Sequence, residues 1–164
     1  MTTAPLSSAT INVRFAGLGG TGVIKASDVL ADVAFRSGRE VKKAEVHGMS
    51  QRGGSVQSDV RFGLEVHSPM IPEKACYFIV VLEPSQVDLV RPSLRPGGVL
   101  LTPADLPAGR LPQAKALNVA LLGRLSRHFD FPESVWRESL RTLFAEKLHA
   151  ANDRAFDVGR ESKS

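Results

Sequence analysis

Residues 11–38 read INVRFAGLGGTGVIKASDVLADVAFRSG, and the order of features within them decides the fold. Ile11 to Ala16 is a short run rich in β-branched and aromatic residues that stops at a cluster of glycines, as a strand does on entering a tight turn. From Val23 the apolar residues fall at Val23, Ala26, Leu30, Val33 and Ala34, the spacing of one helix face. Gly38 then supplies a stop, with Arg36 in the last turn where a cation complements the helix dipole. Strand, glycine turn and helix in that order predict the opening unit of an α/β domain. Gly17, Gly19 and Gly22 satisfy G-x-G-x-x-G in the context that gives the pattern mechanical meaning. Glycines, Gly20 included, let backbone approach a ligand closely, and the helix N-terminus presents unpaired N–H groups to a phosphate or pyrophosphate. Thr21 adds a hydroxyl donor. The same turn would also serve strand–helix packing alone.

Working outward, Val41 to Val46 reads as a second strand and Ser55 to Phe62 as a third, with Val56, Ser58, Val60 and Phe62 alternating against Gln57, Asp59 and Arg61. Glu65 to His67, beyond Gly63-Leu64, predicts a hairpin partner for that third strand. Ala75 to Leu82 is a continuous apolar run of strand length, expected as a central strand buried on both faces. Glu83-Pro84-Ser85 opens a short helix through Leu94, and Arg95 to Gly98 turns into a strand at Val99 to Thr102. Pro103 to Pro112 is proline-punctuated and aperiodic, a connecting loop. Two helices follow, about Ala116 to His128 and then a second that stacks Trp136, Leu140, Leu143, Phe144 and Leu148 on one face. The expected architecture is α/β: a three-layer Rossmann-like, mainly parallel sheet with an inserted β-hairpin and C-terminal helices. Its expected bounds are a disordered lead over 1–10, one domain over 11–159 and a tail over 160–164.

Composition narrows the function. At 164 residues the chain is long enough to bury a core without staples, and 43% hydrophobic with 23% charged residues is ordinary for a globular protein. The first ten residues carry neither a basic region nor a long apolar stretch, so a signal peptide or membrane span is not expected and a cytoplasmic location is. Net charge is +4, but the basic residues are scattered and aromatics amount to 6%, which leaves few platforms for bases; nucleic acid is not an expected partner. An anionic small ligand or an acidic protein partner fits that charge better. The single cysteine, Cys76, cannot form an internal disulfide or supply a cysteine-built zinc or iron–sulfur site, and its apolar surroundings predict a buried side chain.

The stretch EVHGMSQRGGSVQSDVRF, Glu45 to Phe62, places a donor-rich polar loop between two strands. Arg52 can meet a phosphate or carboxylate with two parallel bonds, Gln51 can bond a carbonyl or amide, and Gly53-Gly54 permits close approach. His47 has no cysteine, serine or second histidine at dyad spacing, so no catalytic residue is assigned and a ligand or interface contact is the expected role. Glu45 lies near the position where a dinucleotide-binding fold keeps its ribose-binding acid, which leaves a freestanding NAD- or FAD-binding module as the alternative.

The glycine turn GLGGTGV, the segment EVHGMSQRGGSVQSDVRFG, then SPMIP, FIVVLEP, NVALLG and NDRAFDVG resemble, in order and spacing, the small subunit of the 2-oxoacid:ferredoxin oxidoreductases. The HGMxQRGGSV pattern is most similar to the beta subunit of the indolepyruvate enzymes; the gamma subunit of pyruvate and ketoisovalerate enzymes shares the glycine turn and the Gly-Gly hairpin. The resemblance implies oxidative decarboxylation of a 2-oxoacid, with coenzyme A accepting the acyl group and ferredoxin the electrons. It also implies a large partner subunit that holds thiamine diphosphate and 4Fe-4S clusters. Coenzyme A binding would then fall on Gly17, Gly19, Gly20, Thr21, Gly22, Gln51, Arg52, Gly53 and Gly54, with no catalytic or metal-ligating residue in this chain. Ser50 and Asp59 depart from the family pattern, which more often has alanine and histidine there.

Overall fold

The structure, a computed structural model, describes residues 9–48 and 53–163. Five strands, β1 (Ile11–Leu18), β2 (Glu40–His47), β3 (Ser55–Gly63), β4 (Cys76–Val81) and β5 (Leu94–Leu101), form one open sheet in the order β2-β3-β1-β4-β5. Five α-helices accompany them: α1 (Val23–Arg36), α2 (Val87–Val90), α3 (Leu117–Ser126), α4 (Glu133–Leu143) and α5 (His149–Glu161). The fold class is the expected α/β. Arg39 N–H bonds back to Ala34 O at 3.0 Å around Gly38, whose φ of +83° is the left-handed stop that the sequence predicts for α1.

The sheet is mixed. β1 pairs parallel with β4 and β4 parallel with β5, whereas β3 pairs antiparallel with both β1 and β2. Four strands therefore run one way and β3 alone runs against them. The hairpin is β2–β3, one strand earlier than the expected pairing of Ser55–Phe62 with Glu65–His67. With β1 on one edge of β3 and β2 on the other, no free edge remains for a further partner, and residues 65–67 run on as irregular chain.

Strand alternation splits the sheet between two unequal layers. Val13 and Phe15 of β1 with Val56, Val60 and Phe62 of β3 join the large core under α1, α3, α4 and α5. Its aromatics run continuously from Phe78 through Phe129, Phe62, Phe131 and Trp136 to Phe156, with ring centroids 5.1 to 6.4 Å apart. The opposite face carries a small second core in which Ala16, Cys76, Ile79 and Val81 meet Val90 of α2. No helix among the described residues is long and apolar enough to cross a membrane.

Two further expectations are corrected. Arg95 to Gly98 is a bulge inside β5: Cys76 pairs with Leu94 and Phe78 with Val99, so the extra residues loop out, with Gly97 at φ +77°. Three helices follow the proline-punctuated loop, in place of two. Trp136 and Leu140 are buried as expected, but Phe144 is extended and ends α4, so Leu148 belongs to the short turn that leads into α5. That last helix runs through Glu161, and the buried Ser162 carbonyl accepts from Arg124 at 2.7 Å.

The segments NVALLG and NDRAFDVG are where α3 and α5 cross. A Cβ on Gly123 would stand 2.2 Å from Phe156 O, and one on Gly159 would stand 1.8 Å from Ala120 O. Both distances are far inside van der Waals contact with backbone, so the crossing needs glycine on each helix. Gly159→Ala is expected to destabilise the protein by about 1–3 kcal/mol or more through overpacking, read as a lower urea midpoint at unchanged slope.

Candidate functional site

The register of β3 brings two distant glycine segments together. Leu18, the last residue of β1, lies opposite Ser55, and His47, the last of β2, lies opposite Val56. The glycine turn after β1 and the loop between β2 and β3 thus share one end of the sheet, outside the carboxyl ends of β1 and β2, where open α/β sheets place their ligands. Gly19 N–H donates to Gly54 O at 2.9 Å, and Gly48 N–H donates to Ser55 O at 2.6 Å. An open cleft of about 380 Å³ lies beside this contact, with Gly19, Gly20 and Gly22 on one wall, His47 and Val56 on the other, and Lys25 at its side.

Each glycine of the turn is held for a separate reason. A Cβ on Gly17 would press on Val23 at 2.8 Å and on Thr21 at 2.9 Å. Gly22 has φ +90°, and a Cβ there would meet the Asn118 amide nitrogen at 2.5 Å. Gly19 has room for a Cβ, 3.5 Å from Gly53 N, but a longer side chain would point into the Gly53–Gly54 segment. The Thr21 hydroxyl donates to Leu18 O at 2.6 Å, which places its proton inside the turn. Ala26 N–H closes the first helical bond of α1, on Gly22 O at 3.0 Å. Gly22 caps that helix without a side-chain bond, and no acidic residue stands in the first turn. The leading N–H groups are therefore available to an anion.

Of the expected residues, Gly19, Gly20 and Gly22 line the cleft, and Gly54 is tied to that turn through the Gly19 N–H, with Gly53 next to it. Gly17 and Thr21 serve the turn itself, Gly17 close against Val23 and the Thr21 hydroxyl bonded to Leu18 O. Gln51 and Arg52 lie outside the described residues. His47 is on the cleft wall, its side chain 57% exposed, with Glu45 as a carboxylate neighbour at 3.8 Å. Glu45 sits on the edge strand β2, separated from β1 by β3, and accepts from Lys43 at 3.2 Å. Sequence reading missed Asn118 and Lys25. Asn118 is buried and donates to Gly22 O at 3.3 Å, a contact across 96 positions that no local pattern announces. Lys25 lies in the first turn of α1 with its ammonium on Leu143 O at 3.0 Å, beside the Phe144 ring.

The residues set apart from the cleft have structural employment. Asp59 takes both ends of the Arg14 guanidinium at 2.8 and 2.9 Å, and the remaining nitrogen of Arg14 donates to Ser93 at 2.7 Å. A carboxylate can accept that two-pronged bond and an imidazole cannot, which gives the departure at Asp59 a physical reason. Cys76 is fully buried, and burial pushes its thiol up to about 11, so it stays protonated near neutral pH.

The family model for pyruvate ferredoxin/flavodoxin oxidoreductase matches residues 12–117, a span from β1 through the start of α3 and well over half of the chain. The chain belongs to this family. Among curated relatives, the indolepyruvate oxidoreductase subunit IorB of Thermococcus kodakarensis is 31% identical over 90% of this chain and 93% of its own length. The common gamma subunit of pyruvate/ketoisovalerate oxidoreductases from the same organism is 30% identical over 56% of this chain and 50% of its own. The fold matches the gamma subunit of a keto/oxoacid ferredoxin oxidoreductase from Geobacter sulfurreducens, with a TM-score of 0.75 at 22% identity over 93% of this chain and 97% of that one. A 2-oxoglutarate:ferredoxin oxidoreductase from Magnetococcus marinus, solved with 2-oxoglutarate, coenzyme A and succinyl-CoA, contains the same fold at a TM-score of 0.79 and 22% identity. This chain matches 31% of that larger chain, with 94% of its own residues aligned. Family membership identifies the protein as a small subunit of a 2-oxoacid:ferredoxin oxidoreductase.

The geometry separates two kinds of glycine. Gly22→Ala is expected to lose about 1–3 kcal/mol of stability, because it strains a left-handed position and collides with Asn118. Gly19→Val is expected to keep its melting temperature closer to wild type while weakening ligand binding. Thermal unfolding and ligand titration of the two variants side by side check this ordering.

Proposed function

We propose that this subunit supplies the coenzyme A side of a CoA-dependent oxidative decarboxylation of an arylpyruvate, indolepyruvate being the nearest model. The large partner subunit holds thiamine diphosphate and 4Fe-4S clusters and passes electrons to ferredoxin. The reading rests above all on the Gly19–Gly54 hydrogen bond, which joins the two glycine segments of the family pattern beside the cleft lined by Gly19, Gly20 and Gly22. Coenzyme A carries a pyrophosphate and a ribose phosphate. The uncapped start of α1 offers N–H groups to one such group, Lys25 and the Gln51–Arg52 segment add donors, and the glycines let the chain approach the backbone closely. A family relative at 31% identity that bears the indolepyruvate name supports the substrate class. In this reading the partner supplies the clusters, since a single buried cysteine cannot ligate one.

The alternative, a freestanding dinucleotide-binding module, needs an acid at the end of the strand next to β1 to hold the ribose. β3 occupies that place, and Glu45 is one strand farther out and bonded to Lys43. Coenzyme A and NAD therefore separate the two readings by direct titration. Arg52→Ala is expected to weaken coenzyme A binding to the assembled complex by about 1.5–3 kcal/mol, the range for a charge-assisted contact. Titration calorimetry measures the difference. Unchanged affinity would remove Arg52 from the site, and turnover of a 2-oxoacid with NAD by the isolated chain would overturn the reading itself.

A further inference from the structure

Gln86 closes the short turn Pro84–Gln86 that follows β4, and its amide side chain is buried beside the mouth of the β2–β3 loop. Its Oε1 accepts from the Ser55 hydroxyl at 2.7 Å, while its Nε2 reaches the Ser85 hydroxyl at 3.4 Å. Ser55 is the residue on which the loop closes, since Gly48 N–H donates to its carbonyl at 2.6 Å. One residue earlier, Gly54 O accepts from Gly19 N–H at 2.9 Å. A continuous polar tie thus runs from the turn after β4, through the start of β3, to the glycine turn after β1.

The sheet does not need this tie. β3 is registered against β1 and β2 along its length, and Val56, Val60 and Phe62 anchor it in the large core. What the bond from Ser55 to Gln86 fixes is the place where the loop leaves the sheet, and therefore where Gly54 stands relative to Gly19. A buried amide is retained where its partner specifies a position, because burying it without one is unfavourable.

We propose that Gln86 is a positioning residue: through Ser55 it holds the Gly53–Gly54 segment against the glycine turn and so sets the shape of the cleft. It touches no ligand itself. The consequence for coenzyme A rests on the function proposed above; the consequence for the loop does not. Gln86→Leu removes the acceptor and Ser55→Ala removes the donor, whereas Gln86→Glu keeps an acceptor oxygen in place.

Two readouts on the assembled complex test this. In Gln86→Leu, hydrogen exchange at the Gly19 amide is expected to accelerate, because its acceptor on Gly54 is no longer held. Coenzyme A affinity is expected to fall about three- to tenfold in Gln86→Leu and in Ser55→Ala, to fall no further in the double variant, and to stay near wild type in Gln86→Glu. Unchanged Gly19 exchange in Gln86→Leu, additive losses in the double variant, or a lowered melting temperature with unchanged affinity would each overturn the assignment. A wild-type complex that does not bind coenzyme A would defeat the proposed function instead, and Gly19 exchange would still decide the role of Gln86.

Discussion

The pairing of β3 between β1 and β2 is the constraint on which the rest of the molecule depends. A strand running against its neighbours begins where they end, so Ser55 falls opposite Leu18 and Val56 opposite His47. A parallel strand in the same place would begin at the far end of the sheet, and its preceding loop could not meet the glycine turn. The same pairing displaces Glu45 from the strand next to β1. Register is specified strongly here because a one-residue slip would turn Val56, Val60 and Phe62 out of the large core.

The opposite face of β3 reinforces that register. Arg14 and Asp59 are direct cross-strand partners, and their two-bond ion pair is nearly buried, with side chains 17% and 11% exposed. Such a pair contributes little net stability over an apolar pair, but it is intolerant of displacement, since shifting the strand would strand one charge. A second polar group lies along the same two strands, where Arg61 donates to Asn12 at 2.8 Å and to Ser68 O at 2.6 Å. Polar geometry on one face and apolar packing on the other therefore specify the same alignment, and both serve the end of the sheet where the glycine segments meet.

Local signals in the sequence carried as far as local physics reaches. The strand–glycine–helix unit, the second strand, the Ser55–Phe62 strand and the buried run at Cys76–Val81 all rest on periodicity or punctuation within one element, and these stand in the structure. The hairpin assignment failed because pairing partners are chosen by free edges, a property of the whole sheet, and the bulge in β5 failed because glycine and proline mark a loop equally well inside a strand or before it. The segment NDRAFDVG carries no local signal of its role, because its glycine matters only against Ala120 of another helix. At the site, the glycines were legible because backbone freedom is written in the residue type. Asn118 and Gln86 were not, since each acts on a partner distant in sequence.

A ligand that lies in the cleft must shield the amides that form it, wherever its reactive end is directed. Hydrogen exchange on the assembled complex, with and without coenzyme A, is the most direct measurement of the central claim. Protection on adding coenzyme A is predicted at residues 19–25 and 53–54, the two glycine segments brought together by the Gly19–Gly54 bond. Protection confined to the partner subunit, with those amides unchanged, would contradict the account.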